Sequence, residues 1–236
     1  MTTIDSVDTS IPIHLGFIID GNRRWAREHG IPSYEGHLAG YNALKDVLYE
    51  AFDQGVEYAS VYAFSTENWK RAEEEVGYLL KLALRLVKSD LQELIDRGIR
   101  FRHLGDKDTL PPKVAKAMAE AEEKTKHLTG GVLCACFNYG GQHEIVEAAR
   151  KCVEDGLGAG DIDEEAIAAR LYAPDVPPID MMVRTSGEHR ISNFMLWRIA
   201  YSELLFIDKF WPSMTKDDVT IIIEEYNKRN RRFGGN

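Results

Sequence analysis

The sequence contains few cysteines and no long apolar run. Cys134, Cys136 and Cys152 cannot all pair, and none lies in a C-x-x-C pattern, so buried, reduced thiols are expected. No stretch of about 18 consecutive apolar residues occurs, which argues against a transmembrane helix. The first ten residues are polar and acidic, unlike a secretory signal. These absences predict a cytoplasmic protein.

Positive charge is also in short supply. The 236 residues include 29 Lys+Arg against 38 Asp+Glu, a formal net charge of −9. A nucleic-acid-binding protein needs a basic face to neutralise phosphates, so no nucleic-acid partner is expected. With 19 Gly, 8 Pro and 44% hydrophobic residues, the chain is neither fibrous nor disordered. The charge balance still allows a local basic pocket for a small anion.

Apolar runs that read as strands alternate with amphipathic stretches that read as helices. Strands are predicted at 15–19, 56–64, 99–104, 132–137, 179–183 and 204–207, and helices at 38–54, 73–97, 112–127, 142–155, 164–171 and 215–229. This alternation predicts a single α/β domain with a mostly parallel central sheet of about six strands flanked by helices. Ligands of such sheets bind beyond the carboxyl ends of the strands.

The predicted helix at 73–97 is apolar over an arc of roughly 220°, more than one packed face needs. Two interpretations are open. The helix is buried between the sheet and a partner chain, or it forms one wall of an apolar cavity. At ~1.5 Å per residue it would be about 37 Å long, enough to line a deep tunnel.

Three turns that follow predicted strands carry arginines and polar groups. They are 20–25 (DGNRRW), 65–71 (STENWKR) and 184–194 (RTSGEHRISNF). Guanidinium groups match phosphate oxygens, and Asp20 amid them suggests a divalent metal that bridges to a phosphate. The simpler interpretations are a plain turn at 20–22 and N-caps at Ser65 and Ser192. Together with the apolar helix, the turns indicate a ligand with a phosphate head and a long apolar body.

Six stretches carry a resemblance to a known family: 14–25 (HLGFIIDGNRRW), 35–40 (EGHLAG), 62–76 (YAFSTENWKRAEEEV), 137–145 (FNYGGQHEI), 183–206 (VRTSGEHRISNFMLWRIAYSELLF) and 231–235 (RRFGG). In this order they resemble the cis-prenyltransferases, the undecaprenyl diphosphate synthase family. The resemblance implies one catalytic domain at 13–236 behind a flexible segment at 1–12. It also implies a homodimer whose fold holds a hydrophobic tunnel.

The family's reaction is Mg²⁺-dependent condensation of isopentenyl diphosphate with an allylic diphosphate, here farnesyl or geranyl diphosphate, which forms Z double bonds. The expected product is a medium- or long-chain polyprenyl diphosphate that serves as a cell wall lipid carrier. Because a long-tailed product must leave into lipid, peripheral contact with the inner face of the membrane is expected.

The resemblance also assigns residues. Asp20 and Glu203 would bind Mg²⁺, and Asp20 and Asn68 would be catalytic, with Asn68 at the position usually given to the proton acceptor. Because a neutral amide is a poor base, we expect Asn68 to orient the isopentenyl group while the proton leaves to a diphosphate oxygen. The remaining substrate-binding positions are Gly21, Asn22, Arg23, Arg24, Trp25, His37, Ser65, Thr66, Glu67, Trp69, Arg71, Arg184, Arg190, Ile191 and Ser192.

The sequence departs from the family pattern at Ser33, where an Arg usually grips the allylic diphosphate; Arg23 and Arg27 are candidates to compensate. Ala72 stands where Pro is frequent. Ala63 is small at a position where bulk shortens the product. Gly130 and Gly131 are expected near the tunnel floor and offer no plug, which favours a medium or long product.

Other functions remain as alternatives. A short-chain Z-prenyl diphosphate synthase shares the chemistry, and a catalytically weak partner subunit shares the fold. A non-enzymatic carrier would explain the pocket but not the paired Asp20 and Glu203. A nucleotide-binding enzyme is disfavoured, because neither G-x-x-x-x-G-K-[ST] nor G-x-G-x-x-G follows a strand. Arg229, Arg231 and Arg232 form either a solvated basic end or an extension into the partner's active site.

Overall fold

A computed structural model describes residues 11–229 and shows one six-stranded sheet. The strands are β1 (His14–Ile18), β2 (Tyr58–Ser65), β3 (Arg100–Leu104), β4 (Val132–Tyr139), β5 (Met181–Arg184) and β6 (Glu203–Phe206). Their order is β3-β4-β2-β1-β5-β6, and every pair is parallel. The predicted α/β fold is confirmed. All positions of the family-like stretch at 231–235, including Arg231 and Arg232, and residues 1–10 lie outside the described residues.

Eight α-helices occur within the described residues. They are α1 (Asn22–Glu28), α2 (Ser33–Asp53), α3 (Glu73–Leu84), α4 (Leu91–Asp96), α5 (Pro112–Thr125), α6 (Gly141–Glu154), α7 (Glu164–Ala168) and α8 (Lys216–Asn227). None of the helices in residues 11–229 is both long and apolar enough to cross a membrane. The three cysteines are free and buried, as expected.

Both faces of the sheet are covered, because its strands point apolar side chains alternately to either side. Leu15 and Phe17 of β1 join the larger core with α2, α5 and α8 residues, whereas Ile18 joins a second core with Met182 of β5. Side chains therefore pack against both faces of the sheet. The carboxyl ends of β2, β1 and β5 lie side by side and leave one open edge for a site.

The long helix predicted at 73–97 is interrupted. A π-helical turn at Arg85–Ser89 separates α3 from α4. Asp90 follows it and accepts a hydrogen bond from the hydroxyl of Tyr41 at 2.7 Å, with Lys45 at 3.3 Å. Apolar periodicity cannot detect this break, because the π turn keeps Leu86 and Val87 facing the core. The predicted helix at 38–54 also starts five residues earlier, at Ser33, and α1 was not predicted as a separate element.

Candidate active site

The three polar turns predicted from the sequence meet at one edge of the sheet. The first follows β1, the second follows β2 and the third follows β5, and these strands are neighbours in the order β2-β1-β5. Parallel strands bring their carboxyl ends to the same edge, so the turns converge. Two arginine-lined pockets form there on either side of Asp20.

The first arginine pocket has a volume of about 640 Å³ and contains Arg23, Arg24 and Arg27 from α1. Its other lining residues are Ile19, Asp20, Gly21, Asn22, Ile31, Pro32, Ser33, His37 and Arg71. Gly21 has φ +106°, and a Cβ there would meet Phe210 at 2.8 Å, so only glycine fits the turn. The missing side chain lets Phe210 pack directly against the turn.

The second arginine pocket has a volume of about 570 Å³. It is lined by Ile18, Ile19, Asp20, Tyr62, Ser65, Glu67, Asn68, Arg71, Arg184, Arg190, Ser192 and Asn193. Arg184 is 3% exposed and donates to the Oγ of Ser192 at 2.7 Å and to the carbonyl of Arg190 at 2.6 Å. The third turn is therefore folded around this guanidinium group.

Asp20 is the carboxylate that both arginine pockets share. Its Oδ2 accepts a hydrogen bond from Nη2 of Arg184 at 2.9 Å and lies 3.5 Å from Nη2 of Arg24. Glu188 also pairs with Arg24, at 3.0 Å, and with Arg190. These ion pairs hold Arg24, Arg184 and Arg190 in place and partly cancel their charge.

Glu75, in the first turn of α3, likewise pairs with arginines of the first arginine pocket. Its Oε1 accepts hydrogen bonds from Arg71 at 2.8 Å and His37 at 3.2 Å, and Arg23 lies 3.7 Å from Oε2. Burial alone would raise the pKa of Glu75, but Arg71 and Arg23 outweigh it, so the carboxyl stays ionised. Burial lowers the pKa of His37, which favours the neutral imidazole.

An apolar cavity of about 140 Å³ opens from the two arginine pockets. Leu79, Leu82 and Ala83 of α3 form one wall, with Leu86 and Val87 of the π-helical turn. Its remaining lining residues are Ile19, Asn22, His37, Gly40, Tyr41, Leu44, Tyr62, Ala63, Asn68, Arg71, Phe101, Met118, Ala135 and Phe137. Residues of α3 and of the π-helical turn thus form a cavity wall, which agrees with one of the two interpretations of the long apolar stretch. Burial of the helix against a partner chain stays a prediction.

Gly130 and Gly131, expected near the tunnel floor, do not line this cavity. Their nearest neighbours include Arg97 and Phe52. Phe101, Met118 and Phe137 line the cavity instead, and these are bulky side chains. The sequence pattern placed the strand correctly but could not tell which of its residues faces the cavity.

Ser65 and Asn68 form a reciprocal cap at the start of the 3₁₀ turn Thr66–Lys70. The backbone N–H of Ser65 donates to Oδ1 of Asn68 at 3.1 Å. The capping interpretation of Ser65 is therefore confirmed, and Oδ1 of Asn68 is occupied. The Nδ2 amino group, which is a donor only, remains for the pocket. By contrast, Ser192 caps no helix, because its hydroxyl accepts from Arg184.

Several predicted site residues do not line any of the three pockets. The indole of Trp25 stacks on His29 at 4.0 Å, and the indole N–H of Trp69 donates to Asn138 at 2.7 Å. Thr66 faces Gly140, and Ile191 packs against the second core. Proximity in sequence to Arg24 or Arg71 does not fix which way these side chains point.

Glu203 lies at the far end of the sheet from Asp20, so the two carboxylates predicted to bind one metal do not meet within a single chain. Glu203 begins β6 in register with Met181, whereas Asp20 follows the carboxyl end of β1. Its carboxylate is bound by Arg229 at 2.9 Å. Among residues 11–229, no group of three or more His, Cys, Asp or Glu side chains could enclose a metal.

Sequence reasoning missed several residues of the site, among them Glu75, Glu188 and Asn193. Glu75 and Glu188 pair with its arginines, and Asn193 lies in the second arginine pocket. Glu75 lies in the family-like stretch at 62–76, and Glu188 and Asn193 lie in the one at 183–206. Only the fold reveals their distant partners, which are Arg23 for Glu75 and Arg24 for Glu188.

Comparison with known proteins gives a consistent result. The family model described as "Putative undecaprenyl diphosphate synthase" matches residues 18–234. An isoprenyl transferase of Thermotoga maritima is 44% identical over 95% of this chain and 97% of its own. The ditrans,polycis-undecaprenyl-diphosphate synthase, (2E,6E)-farnesyl-diphosphate specific, of Micrococcus luteus is 41% identical over 95% of this chain and 92% of its own.

Among solved structures, the lavandulyl diphosphate synthase from Lavandula x intermedia, in complex with dimethylallyl diphosphate, superposes with a TM-score of 0.91. It is 34% identical to this chain, and the match covers 95% of this chain and 99% of the other. The likeness thus extends over nearly the whole of both chains.

Proposed function

This chain belongs to the undecaprenyl diphosphate synthase family of isoprenyl transferases, and we propose that it condenses isopentenyl diphosphate with an allylic diphosphate to make a Z-polyprenyl diphosphate. One observation carries the proposal. Two arginine pockets share Asp20 and Arg71, and both open on the same apolar cavity. A reaction that joins two diphosphate esters, one of them with a growing apolar tail, needs this arrangement.

The first arginine pocket is proposed to hold the allylic diphosphate. It shares Asn22 and His37 with the cavity, so a diphosphate bound by Arg23 and Arg24 would direct its tail inward. The second pocket, with Arg184 and Ser192, is proposed to hold isopentenyl diphosphate. Planar guanidinium groups bind phosphate oxygens in pairs, which fixes both the position and the orientation of each head group.

Asp20 fits a magnesium ion that is held mainly by substrate oxygens. Mg²⁺ commonly takes one or two carboxylates together with substrate phosphates, and Asp20 is one partly exposed carboxylate facing two phosphate pockets. Bound there, Mg²⁺ would neutralise charge on the departing diphosphate. The arginines of the first pocket stabilise the same charge, and the apolar cavity keeps water from the allylic carbon.

Asn68 is proposed to orient isopentenyl diphosphate rather than to take its proton. Its Oδ1 is occupied by the N–H of Ser65, and Nδ2 is a hydrogen-bond donor. A donor in this position suits a diphosphate oxygen of the substrate. The proton would then leave to the departing diphosphate, whose oxygens are better bases than an amide.

The length of the product is a separate question, and the cavity favours a second candidate. An engineered cavity of 150 Å³ in another protein accommodates benzene, so about 140 Å³ holds roughly one five-carbon unit. Bulky Phe101, Met118 and Phe137 line it. A short-chain Z-prenyl diphosphate is the product if these side chains stay in place, and a longer one requires them or α3 to move.

A homodimer is also proposed. The outer edge of β6 pairs with no other strand of the described residues, and an open edge is a surface that proteins usually cover. Next to it, Tyr201 is 81% exposed and Leu204 is 37% exposed. Sedimentation at equilibrium is expected to give twice the mass of the chain, and the mass of a single chain would refute the proposal.

Release of the product to a membrane surface completes the proposal. Each buried CH₂ is worth ~0.8 kcal/mol, so a long product leaves an apolar cavity for lipid more readily than for water. Anionic phospholipid vesicles are expected to raise the steady-state turnover of a long-chain product. Turnover that is indifferent to vesicles would argue against membrane contact.

The assay that tests the function follows incorporation of labelled isopentenyl diphosphate with Mg²⁺. Dimethylallyl, geranyl and farnesyl diphosphate serve as primers, and products are resolved by chain length and double-bond geometry. We expect the wild-type protein to incorporate the label into products with Z double bonds. The Asp20→Ala variant is expected to lose this incorporation. No incorporation with any primer would favour a partner subunit of the same family over an active enzyme.

A further inference from the structure

Asn193 lies at a junction of three elements, next to but distinct from the phosphate-facing arginines. It follows Ser192 in the third turn, lines the second arginine pocket and has φ +64°. This left-handed conformation is uncommon for residues other than glycine, although asparagine tolerates it best. Such a conformation persists only where surrounding contacts hold it.

The first group of contacts caps α6. The backbone N–H of Gly141 donates to the carbonyl oxygen of Asn193 at 2.8 Å, and that of Gln142 donates to Oδ1 of Asn193 at 2.8 Å. The first N–H groups of a helix have no partner inside it, and Gly140, at the N-cap, has no side chain to offer. Asn193 therefore satisfies the start of α6 from a distant part of the chain.

The approach of the two segments is close. A Cβ at Gly141 would meet Leu196 at 2.7 Å and the carbonyl oxygen of Asn193 at 2.9 Å. Glycine at this position thus allows the third turn to press against α6. The turn that carries Arg190 and Ser192 is anchored on a helix rather than left as a free loop.

The second contact reaches the segment that follows β2. Nδ2 of Asn193 donates to Oε1 of Glu67 at 3.3 Å. Burial alone would raise the pKa of Glu67, but hydrogen bonds from its own backbone, Ser65 and Asn193 outweigh it, so the carboxylate stays ionised. The primary amide of Asn193 accepts from the helix through Oδ1 and donates to the carboxylate through Nδ2 at the same time; aspartate lacks the donor and leucine lacks both groups.

We propose that Asn193 is a positioning residue that fixes the turn of Arg190 and Ser192 against both α6 and Glu67, so that the second arginine pocket is formed before its ligand arrives. The inference rests on the proposed function, because isopentenyl diphosphate is the ligand assigned to this pocket. It adds a residue that acts through its neighbours without contacting the reacting atoms.

Asn193→Asp tests the contact with Glu67 independently of the contact with α6. The variant keeps the Oδ1 acceptor for α6, and a negative charge suits a helix N-terminus, but it loses the donor and sets a carboxylate against Glu67. Calorimetric titration with isopentenyl diphosphate in the absence of a primer is expected to show binding about tenfold weaker than wild type. Hydrogen exchange is expected to be faster in residues 188–194, with the amides of 141–142 still protected.

The double variant Asn193→Asp with Glu67→Gln rebuilds the contact with donor and acceptor reversed. It is expected to bind isopentenyl diphosphate more tightly than Asn193→Asp alone and to slow exchange in residues 188–194 again. In both variants the KM for the allylic primer is expected to stay within about twofold of wild type, because the first arginine pocket lies on the other side of Asp20.

Two outcomes overturn the inference. One is unchanged binding and unchanged exchange in Asn193→Asp; the other is a double variant that recovers neither. Wild-type protein that neither binds nor incorporates isopentenyl diphosphate would refute the proposed function as well. If the wild-type protein is active and Asn193→Asp changes neither binding nor exchange, the positioning role alone is refuted. The two failures are therefore distinguishable.

Discussion

Arg184 places its Nη2 2.9 Å from Oδ2 of Asp20 and its Nη1 2.7 Å from the hydroxyl of Ser192. One buried guanidinium group thereby connects the carboxylate common to both pockets with the turn that lines the second. The two pockets are mechanically joined through this side chain. Substitution of Arg184 should therefore weaken the binding of both substrates. Substitution of a residue that lines only one pocket should weaken the binding of one substrate.

Arg184→Lys tests this connection. A lysine keeps one charge but cannot reach Asp20, Ser192 and the carbonyl of Arg190 together. Loss of a hydrogen bond to a charged group costs about 2 kcal/mol, or roughly 30-fold in kcat/KM, and KM should rise for both substrates. Arg102→Lys, whose partner Asp175 is exposed, is the matched control and should leave kcat/KM nearly unchanged.

Asn68→Ala should lower kcat and leave the shape of its pH profile intact, because an orienting donor does not titrate. The measurement is kcat across pH 6–9 for both proteins. Disappearance of one limb of the profile would show that Asn68 is tied to a titrating step. Asn68→Asp keeps an acceptor for the N–H of Ser65 but brings a carboxylate towards the diphosphates, and it should be slower still.

Ser33→Arg should strengthen binding of the allylic diphosphate. Ser33 lines the first arginine pocket together with Arg23, Arg24 and Arg27. An added guanidinium there should lower the KM of the allylic substrate by about tenfold, from a charge-assisted hydrogen bond. Tyr34→Arg adds the same charge on a side chain outside the pocket. If both variants equal wild type, the existing arginines already suffice.

Ala63→Leu should shorten the product. Ala63 lines the apolar cavity, and three added carbons would fill a large part of its about 140 Å³. Val61→Leu adds bulk to the same face of β2 but outside the cavity, so it controls for destabilisation. Products resolved by chain length should be shorter for Ala63→Leu only. An unchanged distribution would mean that the growing tail does not pass Ala63.

Stability should decline in mild acid because of His14. Burial lowers the pKa of His14 from 6.5 to about 4, and the imidazole bonds to Ser60 and the carbonyl of Pro177. Protonation therefore favours the unfolded chain, and the loss begins below pH 6.5 and grows towards pH 4. Between pH 7 and pH 5 the free energy of unfolding should fall by about 2 kcal/mol from this group.

Urea unfolding at the two pH values measures this loss. His14→Gln should show a smaller difference between pH 7 and pH 5 than wild type, whatever its absolute stability. His127→Gln, at an exposed position, should keep the wild-type difference. An equal pH dependence in His14→Gln would place the acid sensitivity elsewhere, for example at the buried His103.

Strand positions and the convergence of the three turns followed from the sequence, because apolar periodicity and parallel topology place strand ends together. The orientation of individual side chains did not follow. Trp25 and Trp69 stand within the turns yet point to His29 and Asn138. Glu203 shows the same limit, because its motif is specific but its strand begins at the opposite end of the sheet from Asp20.

Pairings between carboxylates and arginines that are far apart in sequence could not be predicted either. Only the fold brings Glu188 to Arg24, and only the fold brings Glu75 to Arg23, although Glu75 also pairs with Arg71 four residues away. The break between α3 and α4 was not predicted, for a different reason. A π-helical turn inserts one extra residue per turn without changing the apolar character of the stretch.

The central claim is that two diphosphates bind on either side of Asp20, with one tail in the apolar cavity. A crystal structure with Mg²⁺, isopentenyl diphosphate and the unreactive analogue dimethylallyl thiodiphosphate, whose tail has five carbons, tests it most directly. We predict the thiodiphosphate against Arg23 and Arg24 with its tail pointing into the apolar cavity, and isopentenyl diphosphate against Arg184 and Ser192. Both head groups in one pocket, or a dimethylallyl tail outside the cavity, would contradict this arrangement.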